Sequence, residues 1–331
     1  MRVGILGAGS VAHTMAKTLK MMSAAGRPVE LYAVAARDAD RARKLAQQDG
    51  AAKSYGDYEA LLTDPDVDLV YIATWHVTHA ELIKKCMDYG KPVLCEKSLT
   101  VNAREAAEVI TASQQSGVFM ADGLWSRYMP AYGEIRRLLN DGAIGEPLIT
   151  KAVLCTHGYN KPYLLLPEAA GGALLSVGVY PLSFASFVMG NDVTEVITEA
   201  KMSASQLDLA SDTVLRYRCG AEAHFRISTD REPEKYESWG MICGSEGMLV
   251  VDSVNCPQRV MLYRGANRRE PVHDARFPIL YTGFEYELEA CLRDIPLGRI
   301  EPEEMPHSES LTIMRQMDAL RAQWGMRYPF E

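Results

Sequence analysis

The chain has 331 residues, 47% hydrophobic and 24% charged, with a formal net charge of −8 at pH 7. That length accommodates two domains with separate cores. The acidic balance argues against a nucleic-acid partner or an anionic membrane surface, and the longest apolar runs read as strand-length, too short to span a bilayer.

Residues 2–6 read as an apolar strand running into Gly7-Ala8-Gly9-Ser10-Val11-Ala12. Gly7 permits a tight turn out of the strand, and Gly9 lets the backbone approach a pyrophosphate. The small Ala12 lets a helix with Met15, Leu19 and Met22 on one face sit against that strand, its N-terminal amides facing the anion. A second strand at 29–36 completes a βαβ unit, so this segment is expected to bind a dinucleotide.

Helices at 40–48, 58–62, 79–89 and 102–116 alternate with strands at 53–55, 67–73, 92–95 and 118–121. Apolar strands separated by helices predict a doubly wound parallel sheet, a Rossmann α/β domain over 1–123. NAD enzymes usually place a carboxylate after the second strand to hold the ribose 2′-hydroxyl. Here Ala35-Ala36-Arg37-Asp38 puts an arginine first, with Arg41 one turn on; two guanidinium groups suit a 2′-phosphate. Asp38 reads better as a helix N-cap than as a ribose contact. NADP(H) is therefore expected over NAD.

Past residue 124 the pattern changes to a helix at 132–140 and then mostly strands, at 147–155, 193–201, 213–218, 221–228, 237–243, 248–252 and 260–263. Apolar Ala221, Ala223, Phe225 and Ile227 alternate with Glu222, His224, Arg226 and Ser228, a half-buried strand. Helices at 284–294 and 308–324 close the chain. Residues 124–331 are expected to form an α+β domain with an open, mostly antiparallel sheet that binds substrate and dimerises. The run from Phe284 to Glu289 reads as a solvated acidic face, and no His/Cys/Asp/Glu spacing suggests a metal. The seven cysteines form no Cys-x-x-Cys pair and leave an odd one over, so they read as buried thiols of a reducing compartment. With a strand beginning at residue 2 and no room for a signal peptide, the expected location is the cytoplasm.

Two further segments carry chemistry. Val93-Leu94-Cys95-Glu96-Lys97 places an acid and an amine at the carboxyl end of a parallel strand, where doubly wound sheets bind ligands. Gly171-Gly172-Ala173-Leu174-Leu175-Ser176-Val177-Gly178-Val179-Tyr180 enters an apolar helix with a tyrosine one turn in. Together with Leu124-Trp125-Ser126-Arg127-Tyr128-Met129-Pro130, these segments resemble the Gfo/Idh/MocA oxidoreductase family nearly end to end. The likeness is strongest to its branch of dimeric dihydrodiol dehydrogenases and NADP-dependent xylose dehydrogenases.

The resemblance implies a Lys97–Tyr180 catalytic pair. An ammonium beside a phenol favours the phenolate, so Tyr180 becomes a usable base for an alcohol proton while a hydride goes to nicotinamide. It further implies coenzyme contacts from the turn Gly7, Ala8, Gly9, Ser10 and Val11, from Arg37, Asp38 and Arg41, from Thr74, Trp75, His76 and His79, and from Glu96, Lys97, Trp125 and Arg127. Substrate contacts fall to Trp125, Tyr159, Ser176 and Tyr180. A homodimer packed through the second domain's sheet is implied as well. The chain departs from the family at Ser98, where proline is usual, at Ser176, where aspartate is usual, and at Thr74-Trp75-His76. The expected activity is hydride transfer between NADP(H) and a secondary alcohol or carbonyl of a sugar, sugar derivative or vicinal diol. Two other readings remain: a non-catalytic, cofactor-holding ligand sensor, and an NAD-dependent glycoside-cleaving enzyme that oxidises transiently.

Overall fold

Strands β1 (Arg2–Leu6), β2 (Glu30–Ala35), β3 (Lys53–Tyr55), β4 (Leu69–Ile72), β5 (Val93–Glu96) and β6 (Met120–Gly123) pair in parallel in the order β3-β2-β1-β4-β5-β6. The computed structural model describes residues 1–157, 161–230, 236–265 and 269–331. Helices α1 (Ser10–Ala24), α2 (Ala39–Asp49), α3 (Tyr58–Leu62), α4 (His76–Asp88) and α5 (Ala103–Ser116) connect these strands. The central strands are apolar throughout because both faces of the sheet are covered. Val3 and Ile5 pack with Met15 and Leu19 in one core cluster, while Leu6 and Ile72 pack with Ile83 and Val109 in another. The strand order reverses between β1 and β4, so the carboxyl ends of β1, β4 and β5 frame the crevice where such sheets bind ligands.

The chain divides into two compact units, residues 1–128 with 279–311 and residues 129–278 with 312–331. Near the expected division at 123/124 the first unit runs to Tyr128, and a late segment, 279–311, returns to it. The reason is the open edge of β6, whose polar backbone requires partners. Met120 N donates to Ile300 O at 2.9 Å, His307 Nε2 donates to Met120 O at 2.8 Å, and Ser310 Oγ donates to Asp122 Oδ2 at 2.9 Å.

In the second unit, helix α6 (Pro130–Asn140) precedes β7 (Pro147–Cys155), and α7 (Val179–Met189) precedes β8 (Val193–Met202), β9 (Asp208–Tyr217) and β10 (Glu222–Ser228). Strands β11 (Glu237–Gly244), β12 (Gly247–Val251), β13 (Arg259–Arg264) and β14 (His273–Arg276) follow. The eight strands run β14-β13-β12-β11-β7-β10-β9-β8, antiparallel except for β7 with β10. Helix α7 lies close on the sheet at Gly240, where a Cβ would come within 3.0 Å of the Phe184 ring.

The segment Pro167–Met189 corrects the expectation about apolar runs, being long and apolar enough to cross a membrane by composition. It is a core element of this unit, with 83% of its most apolar window buried. Helices α8 (Glu285–Asp294) and α9 (His307–Gln323) complete the chain. All seven cysteines are outside disulfides; Cys86, Cys95, Cys155 and Cys291 are buried as expected, whereas Cys219 is exposed and Cys243 and Cys256 are half-buried.

Candidate active site

The glycine turn is built as its sequence requires. Gly7 has φ +113°, and a Cβ there would lie 2.4 Å from the Ala73 carbonyl oxygen. Only glycine fits that conformation and that contact. Gly9 is the N-cap of α1 and makes no side-chain cap, and a Cβ at Gly9 would meet nothing within 4 Å. Open space above the amides of Ser10 and Val11, at the positive end of a 15-residue helix, fits a dinucleotide pyrophosphate.

At the end of β2, Asp38 accepts from Asp40 N at 3.0 Å and from Arg41 N at 3.2 Å, so its carboxylate is engaged in capping α2. The Arg41 guanidinium reaches back to donate to Ala8 O at 2.9 Å, which places it beside the glycine turn. Arg37 is exposed and stands beside Tyr58, whose phenol burial pushes up and Arg37 pulls back.

After β4, Thr74 Oγ1 accepts from Thr78 Oγ1 at 2.7 Å, and Trp75 is 48% exposed. His76 meets His79 edge-on with ring centroids 5.7 Å apart. His79 itself is fully buried, with its ring nitrogens 3.0 Å from Ser98 O and 3.2 Å from Thr74 O. Burial pushes its pKa down, while the carbonyls of Thr74, after β4, and Ser98, after β5, pull the other way.

Glu96 ends β5 and is buried; Tyr71 donates its hydroxyl to Glu96 Oε1. Burial pushes the Glu96 carboxyl up, against the pull of Tyr71 and of the half-buried Lys97 that follows. The Lys97–Ser98 peptide is cis. Two more carboxyls share this interior. Asp122, beside Cys95 in the sheet, is pushed up to about 7 by burial, and Glu287 of α8 is pushed well up by burial and by Glu96 and Asp122.

Trp125 and Arg127 sit in a single 3₁₀ turn, Trp125–Tyr128. Arg127 is buried and paired with Glu309. Trp125 is half-buried and meets Phe284 edge-on at 5.4 Å.

In the second unit, Ser176 lies within a π-helical turn, Leu174–Gly178, that leads directly into α7 and Tyr180. Such turns recur at functional sites. Ser176 and Tyr180 are 6% and 7% exposed. Asp208, fully buried, accepts from Leu174 N at 2.7 Å, and Gly172 (φ +110°) makes room, since a Cβ there would lie 2.2 Å from Asp208 Oδ1. Tyr328 donates to Gly171 O at 2.9 Å. Tyr159 lies outside the described residues.

The acidic run needs correcting too: Glu285 and Glu287 are 2% and 0% exposed. Glu285 is buried because four backbone amides converge on it, from Leu280, Tyr281, Thr282 and Gly283. Asp122, Asp208 and Glu287 carried no local signal, as their surroundings come from distant positions; Glu285 was missed although its four donors are its immediate neighbours. Among the described residues no group of three or more His, Cys, Asp or Glu side chains could hold a metal.

Comparison with known proteins decides the family. The model described as "Oxidoreductase family, NAD-binding Rossmann fold" matches residues 1–123, and the "GFO/IDH/MocA C-terminal domain" matches residues 132–250. The chain belongs to the Gfo/Idh/MocA oxidoreductase family. This family member is an NAD(P)-dependent oxidoreductase acting on CH–OH groups. It is 32% identical to a trans-1,2-dihydrobenzene-1,2-diol dehydrogenase of Danio rerio over 99% of this chain and 98% of that protein. The Xenopus laevis protein of the same name is 31% identical, over 98% of each chain. A 3-ketoreductase from Actinomadura kijaniata, solved with NADP and TDP-benzene, superposes with TM-score 0.84 at 25% identity over 97% of each chain. Variants of that ketoreductase have been solved in which a lysine is replaced by alanine or glutamate, or a tyrosine by phenylalanine. Levoglucosan dehydrogenase shares the fold, with TM-score 0.86 at 18% identity over 98% of this chain and 97% of that one.

Proposed function

We propose that this oxidoreductase uses NADP(H) and acts on a secondary alcohol or carbonyl of a sugar, a sugar derivative or a vicinal diol. One observation carries the coenzyme choice. Asp38 is engaged in capping α2, while Arg41 reaches the glycine turn at Ala8 O, 2.9 Å away. A carboxylate in that role leaves the ribose to two guanidinium groups, Arg37 and Arg41, which recognise a phosphate better than a hydroxyl. The names of the dihydrodiol dehydrogenases and of the 3-ketoreductase support the substrate class.

Bound nicotinamide would supply the hydride acceptor for oxidation and the donor for reduction. The protein's own part is the proton. In oxidation the Tyr180 phenolate takes the hydroxyl proton as the carbonyl forms; in reduction the Tyr180 phenol returns it to the carbonyl oxygen. Lys97, as a cation, lowers the cost of the phenolate. The lysine and tyrosine changed in the ketoreductase variants are separated by nearly the same number of residues as Lys97 and Tyr180, which supports this assignment.

Tyr180→Phe keeps the ring and removes the proton. Turnover on an oxidised substrate is expected to fall about 10²–10⁴-fold with coenzyme affinity retained. Near-native turnover by this variant would refute the role. Lys97→Met is expected to remove most activity and to move the residual oxidation optimum to higher pH.

The same reading includes a homodimer and a cytoplasmic location. The outer face of the eight-stranded sheet carries Val153, Ile197 and Trp239 among Lys151, Glu199 and Arg226, a mixture suited to a two-fold partner. Light scattering from a stable monomer at micromolar concentration would contradict the dimer. Thiols outside disulfides support the location.

A further inference from the structure

Glu285 opens helix α8 and is 2% exposed. Its Oε1 accepts from Leu280 N at 3.1 Å and Tyr281 N at 3.0 Å; its Oε2 accepts from Thr282 N at 3.0 Å and Gly283 N at 2.7 Å. Four consecutive amides turned toward one anion form a nest. Here the anion belongs to the same chain and follows directly after the turn it organises.

That turn ends against Trp125. Gly283 has φ +97°, and a Cβ built on it would lie 2.3 Å from Trp125 Cζ3 and 2.8 Å from Cε3. The indole therefore lies directly on the Gly283 backbone, in a space that no other residue type leaves open. Phe284, the next residue, closes the seat with its ring edge-on to the indole, at 5.4 Å and 74°. On the opposite side the turn is pinned to the helix that begins at the glycine turn, since Thr282 Oγ1 and Thr18 Oγ1 are hydrogen-bonded at 2.5 Å.

We propose that Glu285 is a positioning residue for Trp125, and that the Gly283–Phe284 seat it shapes selects the substrate. The inference rests on the reading of Trp125 as a wall of the substrate site, and goes beyond it by assigning what sets that wall. Glu285 makes no substrate contact in this scheme. Removing its charge releases amides from the nest and lets the turn and the indole move together. Glutamine retains one acceptor oxygen, but its NH₂ group faces N–H groups it cannot bond.

The test uses the full-length protein as Glu285→Gln, Gly283→Ala and Trp125→Phe, with native protein as reference. Subtracting the Trp125→Phe spectrum isolates the emission of Trp125 without any substrate. Glu285→Gln and Gly283→Ala are expected to shift that emission. With D-xylose, D-glucose and trans-1,2-dihydrobenzene-1,2-diol as probes, the ratio of kcat/KM between probes is expected to change about tenfold, mainly through KM. Should Glu285→Gln not fold, Glu285→Asp, which keeps the charge but draws it back from the amides by one methylene, takes its place in the same measurements. Unshifted Trp125 emission in a folded variant, or unchanged probe ratios beside a shifted emission, would overturn the proposal. If native protein oxidises none of the probes and reduces none of their carbonyl counterparts, the proposed function fails instead, and the emission measurement still decides whether Glu285 positions Trp125.

Discussion

Two turns, one in each unit, are built from the same parts and differ in how their carboxylate is satisfied. Ahead of Tyr180, Gly172 at φ +110° faces the buried Asp208; beside Trp125, Gly283 at φ +97° is held by the buried Glu285. Glu285 receives four amide donors from the turn before it, whereas Asp208 takes Leu174 N at 2.7 Å together with the amides of Ala173 and of Asp208 itself. In both, N–H groups replace part of the hydration that a buried carboxylate loses. Burial pushes Asp208 up to about 7, with the amides and Arg321 pulling the other way. The first turn is an anchor that titrates within the physiological range. The second closes four consecutive amides on one carboxylate.

The largest effect that would sharpen this contrast is expected from Gly172→Ala. Its Cβ would sit 2.2 Å from Asp208 Oδ1 at a φ that alanine avoids, opposing a fully buried carboxyl. Denaturant unfolding should show a loss of about 3 kcal/mol or more, greater than for Gly283→Ala, whose clash is with a ring that can move. Equal losses would break the comparison.

Next comes the titration of Asp208. Its carboxyl ionises near 3.8 when unfolded and at about 7 when folded. The folded state therefore holds the extra proton between those values. Stability falls as pH rises from about 4 to about 7 and is unaffected by this group below that window. Asp208→Asn removes the titration, so its stability relative to native should climb by about 1.4 kcal/mol per pH unit at the steepest. Parallel native and variant curves would show that Asp208 is ionised throughout.

A smaller effect, at a region neither carboxylate touches, is expected from Arg37→Ser or Arg41→Ala. Either should weaken NADPH about tenfold and NADH much less, because one charge-assisted phosphate contact is lost. Equal affinity of the native protein for the two coenzymes would remove the basis for choosing NADP.

What the sequence made legible was local. The glycine turn, the Asp38 cap and the parallel strands follow from neighbouring residues and from strands buried on both faces. Elements governed by distant partners were not legible. Strand β14 (His273–Arg276) alternates only half-buried and exposed positions, so it lacks an apolar face. Glu287 looks solvated until the carboxyls of Glu96 and Asp122 are placed around it, while Glu285 is held by its own neighbours in a turn whose shape its residues do not announce. Asp208 meets Leu174 across 34 residues, and Tyr328 meets Gly171 across 157. Within the candidate site, Lys97 and Tyr180 were found through family resemblance, while the groups that hold their surroundings came from the structure.

Catalysis with NADP is tested most directly by incubating native protein with excess NADP⁺ and, separately, D-xylose, D-glucose and trans-1,2-dihydrobenzene-1,2-diol, while following reduced coenzyme by absorbance. The expected result, with at least one of them, is steady reduction that exceeds the amount of protein many times over and is much slower with NAD⁺. Tight coenzyme binding with no reduction beyond background, for every substrate and for the reverse reaction of NADPH with the corresponding carbonyls, would contradict it.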